Sequence, residues 1–162
     1  MPEPAASAPL TVWRGTVLPA WVDYNGHLND AYYMVVFSLA TDALMDHIGL
    51  DAAGRAQTGH TIFTLEAHVN YLLEVDQGAP IEVRTQLLGA DAKRLQVYHQ
   101  MFRTGSDAPL AVSEQMLLCV DMALRRSAPF PPAVAALVAA LARAHAQLAA
   151  PPYSGRRIAL PG

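Results

Sequence analysis

Cysteine, charge and aromatic residues are all scarce in this chain of 162 residues. Its one cysteine, Cys119, excludes an internal disulfide and any thiolate-rich zinc site. Set within the apolar run from Met116 to Val120, it reads as a core thiol. Charged residues make up only 15% and leave a formal net charge of -3, with no basic run interleaved with aromatics, so nucleic acid is not an expected partner. Although 52% of residues are hydrophobic, no uninterrupted apolar run approaches the roughly 18 residues of a membrane span, and no membrane partner is expected. The opening MPEPAASAPL lacks a basic region followed by an apolar core. It is read as a disordered lead-in over residues 1–9, not a secretory signal, and a cytoplasmic location is expected. No cofactor or metal is called for by any motif.

What is present is concentrated in WVDYNGHLNDAYYMVVFSLATDALMDHIG, from Trp21 to Gly49. A polar loop with Asp23, Asn25, Gly26, His27 and Asn29 runs into a segment free of Pro and Gly from Asp30 to Ile48. Its apolar residues cover more than one face of a 3.6-residue period, which predicts a buried helix in contact over most of its circumference. Asn29 and Asp30 suit its N-cap and Gly49 its end. A helix start offers unpaired N–H groups and a partial positive charge beside the loop, an arrangement suited to polarising a carbonyl. The plainer alternative is a capped helix with solvated loop residues.

Around this stretch, Leu10 to Leu18 has strand composition and stops at Pro19. DAAGRAQTGH after Gly49 reads as a loop. Thr61 to Leu72 alternates apolar and polar residues over a full strand length. Ala79 to Leu88, Arg94 to Arg103 and Leu110 to Met122 complete four strands, and turn signals between them predict a meander of antiparallel hairpins, with Gly78 and Pro80 parting the first pair. Pro131 to Ala149 opens with prolines and continues with helix formers, a second and peripheral helix. Residues 10–149 are expected to be one domain, and 150–162 a mobile tail rich in Pro and Gly. The class is α+β, a twisted antiparallel sheet wrapped around one long central helix.

Three stretches carry a family resemblance: D-x-x-G-H-x-N-x-A-x-Y at Asp23, Gly26, His27, Asn29, Ala31 and Tyr33; E-A-H-V-N-Y from Glu66 to Tyr71; and S-E-Q-M-L-L from Ser113 to Leu118. Over roughly Val12 to Pro131 the chain resembles the hotdog-fold acyl-CoA thioesterases of the 4-hydroxybenzoyl-CoA thioesterase type. The resemblance implies the hotdog fold, a coenzyme A thioester substrate, a homodimer or dimer of dimers, and Asp23 as the catalytic aspartate, by direct attack or by activating water. Many relatives carry a glutamate in mid-helix where this chain has Ser38, so a mechanism using that carboxylate does not transfer. More narrowly, WVDYNGHLNDAYYMVVFSLATD is similar to the thioesterase module linked to L-carnitine dehydrogenases, which implies betainyl-CoA as substrate and a functional link to such a dehydrogenase.

Thioester hydrolysis requires a base or nucleophile and donors for the oxygen that becomes negative; Asp23 can supply the first and amides at the helix start the second. His27 and Asn25 can orient Asp23, water or thioester, or His27 can simply hold the loop. Gly26, Asn29 and Asp30 belong to the same binding region. Trp21, Tyr24, Tyr32 and Tyr33, also near the loop, can offer π faces to a quaternary ammonium, or Tyr33 can pack in the core and Trp21 staple the loop. Glu66, His68 and Asn70 share a strand face, readable as solvated surface or as the lining of a pocket at a subunit interface. Lys93 with Arg94, Arg125 with Arg126, and Arg84 are candidates for the CoA phosphates or ordinary surface charge. Two rival functions are an enoyl-CoA hydratase on the same fold, disfavoured by the missing proline of D-x-x-x-N-P-x-H, and a non-catalytic acyl-CoA-binding module.

Overall fold

The structure, a computed structural model, describes residues 8–162, so most of the expected lead-in lies outside the described residues. Its elements are β1 (Leu10–Thr16), a 3-10 turn (Pro19–Trp21), α1 (Asp30–His47), α2 (Ala52–Thr58), β2 (His60–Tyr71), β3 (Pro80–Ala90), β4 (Arg94–Arg103), β5 (Pro109–Asp121), β6 (Arg126–Ser127) and α3 (Pro132–His145). One six-stranded antiparallel sheet runs β1-β3-β4-β5-β2, with the short β6 beside β5.

β3, β4 and β5 form the expected meander. β2 departs from it, pairing with β5 from His60↔Asp121 to Tyr71↔Ala111, while β1 pairs with β3. The stretch expected to close a β2–β3 hairpin is therefore a crossover from the β2 edge of the sheet to β3, the strand beside the β1 edge. Its backbone is satisfied elsewhere: the Leu28 N–H donates to the Val75 carbonyl, the Gln77 N–H to that of Gly26 and the Gly78 N–H to that of Val17. These bonds tie the connection to the segment before α1, while the Ala79 N–H closes a turn on the Asp76 carbonyl. The connection also ties that segment to the sheet.

α1 starts as expected, with the Asn29 side chain accepting the Ala31 N–H. Tyr33, Val36, Phe37, Ala40, Leu44 and Met45 are buried, but Ala31, Val35, Ser38, Asp42 and Asp46 are exposed. Within one chain the sheet therefore covers one side of the helix and leaves the other open, not most of the circumference. DAAGRAQTGH is not a loop but contains α2. The Asp51 carboxylate caps it by accepting the Gly54 N–H at 2.7 Å, and Gly59 ends it in the left-handed region at φ 69°.

Two apolar clusters fill the core. Val17, Tyr33, Phe37, Ile81 and Met101 pack toward the start of α1, and Leu44, Ile48, Leu95, Leu117, Val134 and Leu141 toward its end and α3. Between α1 and the sheet lies a small polar network. The Thr41 hydroxyl sits 3.1 Å from His99 Nε2, and the Thr85 hydroxyl 2.7 Å from its Nδ1. The Thr41 hydroxyl also donates to the Phe37 carbonyl, and the His99 ring stacks on Phe37. His99 is fully buried, and burial pushes its imidazole down to about 3. Cys119 is buried as expected, its thiol pushed up to about 11 by burial and the Asp121 charge, which leaves it inert.

After α3 there is no further helix or strand. The chain from Ala149 to Gly155 nevertheless lies against the sheet: Gln86 donates to the Ala149 carbonyl, Tyr98 to that of Pro152, and the Gly155 N–H to Glu114. No helix among the described residues is long and apolar enough to cross a membrane.

Candidate active site

Asp23 is held by a miniature hairpin. Val22 and Leu28 form an antiparallel bridge, the Asp23 N–H donates to the His27 carbonyl, and the Gly26 N–H returns to the Asp23 carbonyl. Gly26 closes the turn at φ 77°, a conformation that L side chains rarely adopt. Within it, one Asp23 carboxylate oxygen accepts the Asn25 N–H at 2.8 Å. The other has no partner among the described residues and is free to meet water or substrate.

This turn opens into a cavity of about 450 Å³ at the N-terminus of α1. Asp23, Asn25, His27 and Asp30 line it, as the sequence suggests, together with Tyr33, Tyr71, Leu73 and Glu74. The Tyr33 and Tyr71 rings meet edge to face, with centroids 5.2 Å apart. Their hydroxyls are anchored, Tyr33 donating to the Leu73 carbonyl at 3.1 Å and Tyr71 to the Asp30 carbonyl at 3.2 Å. Burial, then the neighbouring Tyr71 and Glu74, raise the Tyr33 phenol above its ordinary value; burial and then Asp30 do the same for Tyr71.

His27 turns toward the crossover. Its Nδ1 lies 3.2 Å from Glu74 and its Nε2 3.3 Å from Asp76, so both ring nitrogens face carboxylates of the crossover and neither is left for Asp23. It holds the loop to the crossover, the alternative that the sequence left open. The amides at the helix start are also partly committed. The Ala31 N–H donates to the Asn29 side chain and the Tyr32 N–H to the Asn29 carbonyl. Among the described residues this leaves the Asp30 N–H as the first-turn donor without a partner.

Of the aromatic group proposed from the sequence, Tyr33 lines the cavity and the other three do not. Trp21 and Tyr32 stack on each other at 6.2 Å and pack against the core, and Tyr24 is 97% exposed at the turn tip. Such residues satisfy their apolar surface before reaching a ligand. Glu66 and His68 are also separate. They lie opposite Met116 and Glu114 in the β2–β5 register and line a cavity of about 230 Å³ with Gln96, Gln115 and Arg156. Gln115 reaches Thr41 of α1, so by alternation Glu114 and Met116 face the other side of the sheet.

Of the basic candidates, Arg84 is committed to Glu82 at 2.9 Å and stacks on Phe102, Arg94 is paired with Asp91, and Lys93 donates to Ser127. Arg125, on the turn between β5 and β6, and Arg126, the first residue of β6, are both exposed. Sequence reading missed Tyr71, Glu74 and Asp76 as site residues. The E-V-D spacing at 74–76 was the available signal, since alternate residues of an extended segment project to one side. No group of acidic, histidine or cysteine side chains among the described residues is arranged to hold a metal ion.

With this geometry in view, comparison with known proteins is informative. Residues 17–138 match the thioesterase-like superfamily. A betainyl-CoA thioesterase of Pseudomonas aeruginosa is 58% identical over 94% of this chain and 96% of its own length. An Agrobacterium fabrum protein, L-carnitine dehydrogenase/betainyl-CoA thioesterase, is 44% identical over 80% of this chain, which spans only 26% of that longer protein. Among solved structures, a Pseudomonas putida KT2440 protein assigned as a thioesterase superposes with a TM-score of 0.82 at 51% identity, covering 95% of this chain and 98% of that one. A Staphylococcus aureus protein solved in complex with CoA gives 0.86 at 27% identity, over 96% of this chain and 99% of that one. The chain belongs to the thioesterase-like superfamily and is an acyl-CoA thioester hydrolase of the hotdog fold.

Proposed function

We propose that the chain hydrolyses betainyl-CoA, releasing betaine and free CoA thiol, with Asp23 as the base or nucleophile. The observation that carries this reading is that an Asp23 oxygen without a partner among the described residues shares one cavity with two tyrosine rings and the start of α1. The 58% identity to a protein named for that reaction supports it. Asp23 either attacks the carbonyl to give an anhydride that water then opens, or takes a proton from the attacking water. In both routes the carbonyl oxygen gains negative charge, and the Asp30 N–H is the donor we assign to it. The fused relatives support a functional link to L-carnitine dehydrogenase activity, and a reaction on a CoA thioester fits a cytoplasmic location.

The working unit in this proposal is a homodimer, or a dimer of dimers, joined through β2. Among the described residues that strand is a sheet edge with no partner on its outer side. It exposes Phe63 and Leu65 by half or more, and Asn70 has a buried Oδ1 without a hydrogen-bond partner. The end of this strand, at Tyr71, borders the cavity, so a second copy paired there would narrow its mouth. Thiol release measured across a panel of acyl-CoAs tests the function: betainyl-CoA should be turned over best, and preference for long or neutral aromatic acyl groups would end the betainyl assignment.

A further inference from the structure

The proposed substrate sets a strict geometric condition on whatever recognises its cation. In a betainyl group the quaternary nitrogen is separated from the thioester carbonyl by a single methylene. The surface that holds it must therefore lie in the cavity into which Asp23 opens. Trp21, Tyr24 and Tyr32 fail that condition, whereas Tyr33 and Tyr71 meet it. A quaternary ammonium has no N–H to donate, so its recognition depends on π faces and on negative charge nearby.

We infer that Tyr71, with Tyr33 set edge-on to it and the carboxylates of Asp30 and Glu74 beside the pair, forms the surface that selects a quaternary ammonium acyl group. This inference rests on the betainyl reading and names the residues that would produce the preference. Both rings are fixed by their hydroxyls on backbone carbonyls, which spends the polar ends; Tyr33, buried in the core, backs the Tyr71 ring, whose open face is left to the cavity. Tyr71 is 51% exposed in the single chain, so its ring is accessible to a ligand. The lining contains the acids Asp23, Asp30 and Glu74 and no lysine or arginine, and its one histidine is held between Glu74 and Asp76. Such a wall attracts a cation and opposes an acyl group carrying a carboxylate.

The test compares kcat/KM for betainyl-CoA and tert-butylacetyl-CoA, its neutral isostere, in the full chain and its Tyr71 variants. Tyr71→Leu is expected to lower the ratio of the two by about tenfold or more, while Tyr71→Phe, which keeps the ring, holds it within about threefold. An unchanged ratio in Tyr71→Leu overturns the inference. Should Tyr71→Leu fail to fold, the pair Asp30→Asn and Glu74→Gln carries the same test: a ratio lowered about threefold or more supports the inference, and the wild-type ratio overturns it. A wild-type ratio at or below one overturns the betainyl reading itself, and the inference with it, whatever the variants do.

Discussion

Replacing His99 by glutamine tests whether the core holds a neutral imidazole. The ring is fully buried between Thr41 and Thr85, and burial lowers its value from 6.5 to about 3. A depressed histidine works against folding in acid. Above 6.5 both the folded and the unfolded chain keep the ring neutral and no penalty arises. As pH falls below 6.5 the unfolded chain takes up a proton that the folded one refuses, and stability drops until the folded value is reached. Each unit is worth about 1.4 kcal/mol, so the 1.5 units between 6.5 and 5 amount to about 2 kcal/mol. Urea unfolding at pH 7 and pH 5, at one protein concentration, should show wild type losing about 2 kcal/mol more than His99→Gln over that interval. His145, also lowered by burial and by His47, titrates in both proteins and cancels from the difference. Glutamine will lower stability at pH 7 by disturbing the threonine contacts, so the pH difference, not the absolute value, is the readout. Equal losses in the two proteins would mean that His99 carries its proton in the fold or is reached by water, and would refute the argument.

Asp23→Asn should yield a folded protein whose thiol release falls at least about 100-fold, and near-normal turnover would remove Asp23 from the mechanism. Gly26→Ala should cost about 1 kcal/mol because of the φ of 77°, while Gly26→Asn should cost less; calorimetry that finds the two equal would show that the turn does not demand that conformation. Light scattering should find at least a dimer, and Phe63→Glu on the exposed edge should shift it toward monomer. A dimer unaffected by that change would place the contact on another face.

How far the sequence reaches is clearest by comparing α1 with the elements around it. Asn29 capping, the uninterrupted apolar segment and the strand pattern of β2 are local properties, and each element starts and ends within a residue or two of its expected place, although burial along β2 does not alternate and Phe63 and Leu65 stay exposed. Asp23, Asn25 and Asp30 gather in one cavity because they sit within eight residues on a turn and the helix start it feeds. α2 is the exception: its small, polar residues read as a loop, although Asp51 and Gly59 cap it as a helix. Sheet order was not legible. Whether β2 meets β3 or β5 depends on which partner satisfies the crossover backbone, and that choice is made by residues far apart in the chain. Side-chain allegiance was decided the same way. Trp21 and Tyr32 lie close to Asp23 in sequence yet turn into the core, whereas Tyr71, Glu74 and Asp76 arrive from the far end of β2 to complete the site. Sequence determined most of the elements and the turn that carries Asp23, because caps and periodicity act over a few residues. Only the tertiary structure decided which aromatic rings and acids surround that carboxylate, because burial is settled between segments and not within them.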